Sequence, residues 1–261
     1  MLKAVALDAV KIMAAMSSRA RSGISRLEVF SILDSTNTYL LQETQVDTPS
    51  GWVCFADQQT QGRGRQGKTW HSPAGSNIYG SLLWRFSPDY DLSGLSLAIA
   101  VMLVEALQHY GMPTGIQLKW PNDIWFAGRK LGGILLEQAQ GGVVIGFGLN
   151  LRLPRDTHFS PAWIDIHEIT GNIPQRNHLI GLLLDSLFTQ LPVFATQGVV
   201  SFLSRWRNYD VLYQRHIDVQ AGQRKYSGIV QGINEQGALL LCDDQGVMHT
   251  FYGAEVTLSD L

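Results

Sequence analysis

Apolar positions along this chain recur in two rhythms, and the changes between them mark out its elements. Leu27, Val29, Phe30, Ile32 and Leu33 read as a short strand over 27–33, the texture of a pleated, half-buried segment. Asp34-Ser35-Thr36-Asn37 then opens a helix through about Gln42, with Asp34 or Ser35 as its N-cap. Trp52 to Ala56 and Ser76 to Phe86 read as buried strands. Ser93 to Tyr110 is the clearest helix, almost wholly apolar and therefore internal, capped by Ser93 and ended by Gly111. Four strands follow at Leu118–Trp120, Ile124–Phe126, Gly133–Ala139 and Val143–Leu151, separated by turns such as Pro121-Asn122-Asp123. Asn177–Phe194 and Val199–Tyr209 read as helices. From about Gln214 the texture becomes short strands, with Gly222, Gly228, Gly232, Gly237, Gly246 and Gly253 spaced as turns.

The pattern predicts an α+β protein in which helices flank a mixed sheet. Residues 27–212 form the larger domain and 213–261 a small all-β domain. Residues 1–26 read as a leader: an amphipathic helix or poorly ordered stretch up to Met16, then a polar, loop-like run from Ser17 to Gly23. No apolar run reaches membrane-spanning length by this reading, and no membrane role is expected.

Composition narrows the class. With 45% hydrophobic and 16% charged residues, the 261-residue chain reads as a globular enzyme rather than a disordered segment. Its formal net charge of −2 gives no chain-wide attraction to nucleic acid. The two cysteines, Cys54 and Cys242, both fall in apolar strand-like runs and are expected to be free thiols in a cytoplasmic protein. The seven histidines show no metal-binding spacing.

Against that neutral background one loop is strongly cationic. In Gly62-Arg63-Gly64-Arg65-Gln66-Gly67-Lys68-Thr69-Trp70, three glycines alternate with three cations and an indole follows. Glycine lets backbone N–H groups converge on an anion, and arginine and lysine add charge and directed donors. A flat aromatic beside an anion site suits a nucleobase. Three further polar clusters punctuate the larger domain: Asp34 to Asn37, Lys119-Trp120-Pro121-Asn122-Asp123, and Lys130-Leu131-Gly132-Gly133-Ile134-Leu135. Each is read at the end of a strand or helix, where a rigid scaffold presents functional groups.

In order, the motifs GRGRxGxxW, SPxGxNxYxS (Ser72 to Ser81), KWPND and KxGGIL resemble those of the biotin protein ligase family. The similarity runs over about residues 27–150, and Gly228 to Leu241 looks like the family's C-terminal segment. The resemblance implies a catalytic domain of the class II aminoacyl-tRNA synthetase and biotin ligase type, followed by a small SH3-like β-barrel. It also implies ATP, Mg²⁺ and biotin as ligands, a biotinyl-5′-AMP intermediate, and a biotin carboxyl carrier protein or domain as acceptor. By the family pattern Ser35, Thr36, Asn37, Gln59, Arg63, Gly64, Arg65, Lys130, Gly132 and Gly133 bind biotin. Gly62, Arg63, Arg65, Gly67, Lys68, Trp70, Lys119, Asn122 and Asn150 surround ATP. Lys130, Arg65, Lys119 and Asp123 carry the chemistry: Lys130 at the reacting carboxyl end, Lys119 at the phosphates, Asp123 orienting the acceptor lysine. Trp120 is expected in the core, and His71 is expected to have no catalytic role because the reacting carboxylate is already ionised.

The chain departs from the family pattern at Lys68, where arginine is common, so the bidentate fork is lost while the charge stays. About 26 residues precede the first strand, too few for the winged helix-turn-helix that some relatives carry, and DNA binding is not expected. A homodimer through the central sheet is a family-level option that the residues leave open. The alternative functions are a lipoate or octanoyl protein ligase of the same fold and a non-catalytic biotin-binding regulatory module. The glycine-basic loop is expected to be mobile without ligand and ordered over the acyl-adenylate.

Overall fold

The computed structural model describes residues 6–75, 77–154 and 161–258. Ser76, quoted in the second motif and as a strand start, lies outside them, as do the ends of the leader and of the terminal domain. In chain order the elements are α1 (Ala9–Ala14), α2 (Ser18–Ser22), β1 (Arg26–Leu33), α3 (Thr36–Glu43), β2 (Trp52–Gln59), β3 (Asn77–Trp84), α4 (Leu95–His109), β4 (Ile116–Lys119), β5 (Asp123–Phe126), β6 (Arg129–Ala139) and β7 (Gly142–Asn150). Then come α5 (Ile166–Thr170), α6 (Arg176–Gln197), α7 (Val200–Arg207), β8 (His216–Ala221), β9 (Arg224–Ile233), β10 (Leu239–Asp243), β11 (Met248–Phe251) and β12 (Glu255–Leu258).

The large sheet runs β1-β2-β3-β7-β6-β5-β4. It is mixed because β1 and β2 are parallel while its other pairings are antiparallel. Its two faces are read from alternation along single strands. In β2, Val53 and Phe55 enter the main core with α4 and α6, whereas Trp52 and Cys54 pack with Leu40 of α3. In β7, Val143, Ile145, Phe147 and Leu149 join the main core. The intervening positions Gly146, Gly148 and Asn150 fall on the α3 face. Bulk on one face and glycine on the other leave room over the sheet for a ligand.

The helical layer is anchored by α4, whose residues Leu97 to Val104 are all buried, each large aliphatic among them contributing roughly 1.5–3 kcal/mol of transfer free energy. α4 starts at Gly94, a left-handed residue at φ 73°, not at Ser93. A Cβ on Gly94 would lie 2.4 Å from Val199 Cγ2, so close packing on the chain before α7 outweighs a side-chain cap there. Gly111, at φ 101°, follows its C-terminus as the sequence suggests. α6 is long and apolar enough to cross a membrane by length and composition, contrary to the sequence reading. It is instead a core helix, packed against α1, α2 and α4.

The leader also differs from expectation. Ser17 to Gly23 is the capped helix α2 rather than a loop. Ser17 Oγ accepts from Ala20 N–H, and Ala20 is buried against the α6 layer. Asp8 caps α1 in the same way. Tertiary packing decides a segment that its serine and arginine content does not.

The second sheet is antiparallel in the order β11-β10-β9-β8-β12. Gly222, Gly237 and Gly246 do occupy turns with positive φ. Gly228 and Gly232 instead lie inside β9, where a Cβ on Gly228 would lie 2.2 Å from Cys242 O of the neighbouring β10. β11 and β12 are its edge strands, and a seam closing the sheet into a barrel is not among the pairings of the described residues. Trp120 is buried as expected, and its Nε1–H donates to Gly237 O (3.0 Å), tying the two sheets together.

Candidate active site

On the α3 face a cleft of about 1100 Å³ gathers residues from every predicted cluster, a volume at the upper end for a small-molecule site. One end is uncharged and polar. α3 begins there with Ser35, Thr36 and Asn37, all buried, and Ser35 Oγ caps the helix by accepting from Thr38 N–H. Gln59, at the end of β2, accepts through Oε1 from Thr36 N–H (2.9 Å) and Thr36 Oγ1–H (3.2 Å). Its Nε2 donates to Ser72 Oγ (2.9 Å), fixing the amide. Capping and lining the cleft are therefore done by the same residues.

The glycine-basic loop is a short hairpin across the cleft. Trp70 N–H donates to Gly62 O (2.9 Å) and Gly64 N–H to Lys68 O (2.7 Å). Gln66 (φ 55°) and Gly67 (φ 75°) turn the chain at its tip. Gly64's amide is thus engaged within the hairpin rather than held out for an anion. Arg65 reaches inward and donates from Nη1 to Asn122 Oδ1 (3.3 Å). Lys68 forms an ion pair with Glu255 of β12, so the small terminal sheet helps to close the cleft.

The other end is cationic. Lys130 Nζ lies 2.7 Å from Asp123 Oδ1 and 5.2 Å from the Trp70 ring centroid. Lys119 Nζ sits 4.5 Å from the Trp125 centroid. Burial holds the Lys119 ammonium below the usual lysine value; Lys130 and Lys68 add to that, while Asp123 and Glu255 oppose it. Burial likewise lowers Arg65, against the pull of Asp123 and Glu255.

Lys130 owes its placement to an irregularity that the sequence does not announce. Ile124 pairs with Gly132 and Trp125 with Lys130, so Leu131 is an extra residue in β6. Lys130 and Gly133 are three apart and would face opposite sides of a regular strand. The bulge puts them on the same side, where a Cβ at Gly133 would stand 3.3 Å from Lys130 Nζ. The displaced Leu131 is fully buried in the main core. The KxGGIL motif accordingly begins at the N-terminal end of β6, with Lys130 its second residue, and runs on into the strand.

Among the candidates, Gly62, Gly67 and Gly132 do not reach the cleft wall. Gly62 and Gly132 are required by packing: a Cβ on Gly62 would lie 2.3 Å from Trp70 O, and one on Gly132 would lie 2.7 Å from Gly148 O. Asn150 lines the cleft, and its amide also donates to Ile164 O (3.2 Å) and Lys130 O (3.4 Å), bracing the bulge. Gly146, Gly148, Trp163 and Glu255 also line the cleft, outside the four sequence clusters. The alternation of β7 points to the two glycines; Trp163 and Glu255 come from irregular or distant chain with no such signal.

The lowered Lys119 value has a consequence for stability. Between that value and the ordinary lysine value near 10.4, the unfolded chain binds more protons than the folded one, so stability rises with pH. Below this window the charged, desolvated ammonium is a standing cost. Lys119→Met is expected to melt higher than the native chain at neutral pH, by a margin that shrinks as pH rises through the window. A margin independent of pH in thermal melts would contradict this.

Comparison with known proteins agrees with this geometry. The description "Biotin/lipoate A/B protein ligase family" matches residues 29–151, and "Biotin protein ligase C terminal domain" matches residues 215–259. The chain is 37% identical over 238 residues to the bifunctional ligase/repressor BirA of Escherichia coli, covering 88% of this chain and 73% of that protein. It is 31% identical to the biotin–[acetyl-CoA-carboxylase] ligase of Paracoccus denitrificans, covering 80% and 90%. The biotin protein ligase of Aquifex aeolicus, solved in complex with biotin and ATP, superposes with a TM-score of 0.80 at 26% identity, covering 90% and 99%. With the motifs in order around one cleft and the relatives matched over most of their length, the chain belongs to the biotin protein ligase family.

Proposed function

We propose that this chain joins biotin to a lysine of an acceptor protein at the expense of ATP. The observation that carries the reading is the polarity of the cleft: a buried, uncharged hydrogen-bonding corner at one end, and Arg65, Lys119 and Lys130 together at the other. A ureido ring needs a few placed donors and acceptors, which Ser35, Thr36, Asn37 and Gln59 supply. A carboxylate that attacks a triphosphate needs converging cations, which the other end supplies.

In the first step a biotin carboxylate oxygen bonds to the α-phosphorus of ATP while the bond to pyrophosphate breaks, giving biotinyl-5′-AMP. Lys130 holds the carboxyl end, Lys119 and Arg65 balance the phosphate charge, and Trp70 shelters the intermediate beneath the hairpin. In the second step an acceptor lysine amine, having lost a proton, attacks the acyl carbon and AMP leaves. Asp123 is placed to orient that incoming ammonium. Among the described residues no three His, Cys, Asp or Glu side chains cluster as a metal site. Mg²⁺ would accompany the ATP phosphates.

A lipoate or octanoyl chain brings no ureido group to match the polar corner of Ser35, Thr36, Asn37 and Gln59, which disfavours that alternative. The acceptor we infer is a biotin carboxyl carrier protein or domain, in the cytoplasm. Mass spectrometry of such a domain after incubation with the chain, biotin and MgATP is expected to show the gain of one biotin on one lysine. No gain with biotin, or a gain with lipoate in its place, would overturn the reading.

A further inference from the structure

Glu137 stands behind the cleft, outside its wall, yet it touches two residues that form the wall. It lies in β6, past the KxGGIL motif, and its side chain is 19% exposed. Oε1 accepts from Arg63 Nη2 at 2.7 Å, and Oε2 accepts from Asn37 Nδ2 at 2.9 Å. Arg63 belongs to the first arm of the hairpin, and Asn37 to the N-terminal turn of α3. One carboxylate therefore ties the loop over the cleft to the helix end within it.

Both contacts decide geometry. An ionised carboxylate only accepts, so it selects which end of the Asn37 amide faces it. Nδ2 is turned toward Glu137 and toward Leu135 O (3.4 Å), which leaves Oδ1 to face the Ser81 hydroxyl at 2.6 Å. That hydroxyl also lies 2.7 Å from Thr36 Oγ1. The floor beneath is cleared to match: a Cβ on Gly146 would stand 2.1 Å from Asn37 Oδ1. On the other side Arg63 is 45% exposed and half-free. Among the described residues its guanidinium otherwise meets the edge of α3, with Thr38 Oγ1 at 3.5 Å from Nη1. The hairpin is also tied by Arg65 to Asn122 and, near its tip, by Lys68 to Glu255, the latter pair more exposed at both partners than Arg63 and Glu137. Surface ion pairs as exposed as Lys68–Glu255 contribute little, and Glu137 is the better-buried ion-pair partner of the hairpin.

We infer that Glu137 is a positioning residue for the biotin end of the cleft, acting through Arg63 and Asn37 without touching ligand. This rests on the biotin-ligase reading above. Its effect should fall on biotin binding, since Glu137 contacts neither Lys119, Lys130 nor Arg65.

The test measures biotin Kd by calorimetry and steady-state constants for both substrates in the native chain, Glu137→Ala, Arg63→Ala and the double variant. Glu137→Ala is expected to raise biotin Kd about tenfold, leaving kcat at saturating biotin and the ATP KM within about twofold. Arg63→Ala is expected to share part of the loss, and the double variant to bind no worse than Glu137→Ala, because both changes cut the same tie. Glu137→Gln, which keeps an acceptor but no charge, should fall between native and alanine. It also carries the test if the alanine variant fails to fold. An unchanged biotin Kd, a fall in kcat with biotin KM unmoved, or losses that multiply in the double variant would overturn the inference. If the native chain itself binds no biotin, the ligase reading fails instead.

Discussion

Lys130→Ala is expected to lower kcat/KM for biotinyl transfer by about 10²–10³, the loss typical when a preorganised charge is removed from developing negative charge. Lys130 Nζ is 2.7 Å from Asp123 Oδ1, with side-chain exposures of 20% and 15%, so the cation is held in place before any substrate arrives. The variant strips that charge and removes the ammonium that holds the Asp123 carboxylate in place. Two losses therefore combine: stabilisation of the reacting carboxyl group, and the placement of the carboxylate proposed to receive the acceptor lysine. Lys130→Arg is expected to recover only part of the rate. A Cβ at Gly133 would already meet Lys130 Cε at 3.2 Å, and a planar guanidinium needs more room than the ammonium. Pyrophosphate release measured with biotin and MgATP, alongside biotin Kd, separates chemistry from binding. Retention of more than a tenth of native kcat/KM in the alanine variant would remove Lys130 from its proposed role.

What the sequence discloses, and what it withholds, follows the range of the interactions involved. β7 is legible as a strand, and its alternation of Val143, Ile145 and Phe147 with Gly146 and Gly148 signals one packed face and one cleared face. α3 is legible because Ser35 is a local cap. The bulge at Leu131 is not, because it exists only in the pairing of β6 with β5. Nor is the bond from Arg63 to Glu137, which joins residues 74 apart. The loop shows the same division. Its glycines and cations mark it in sequence as an anion cradle, but folded it is a hairpin that uses Gly64 N–H internally and leaves its side chains to face the cleft. α2 shows the limit in the other direction: a serine- and arginine-rich run that reads as loop becomes helix where Ala20 is covered by the α6 layer.

The cleared face of β7 yields the second large effect. Gly148 lies between Gly133 of β6 and Tyr79 of β3 in the sheet, under the Trp70 indole. A Cβ there would stand 2.6 Å from Trp70 Cε2 and 2.7 Å from Cζ2 and Nε1, closer than carbon atoms pack. Gly148→Ala must therefore lift the indole, and the indole cannot move alone. Trp70 N–H is bonded to Gly62 O at the base of the hairpin, and Trp70 O accepts from Ser72 Oγ at 3.0 Å, the same hydroxyl that holds Gln59. Displacement is thus passed to the polar corner and to the lid together. Overpacking of this kind costs about 1–3 kcal/mol, so biotin affinity is expected to fall by up to roughly 5- to 150-fold if the cost falls on the bound state, at 1.4 kcal/mol per tenfold change, and the melting temperature by up to about 2–12 °C if it falls on the free fold. The cause can be isolated by relieving the contact from the other side. Trp70→Phe replaces the bicyclic indole by a single ring and removes Nε1 and the fused-ring atom Cζ2, and in that background the additional penalty of Gly148→Ala should shrink to a few-fold or less. If biotin binds Gly148→Ala as tightly as the native chain, or if the penalty is the same with phenylalanine at position 70, the indole is not what requires glycine at position 148.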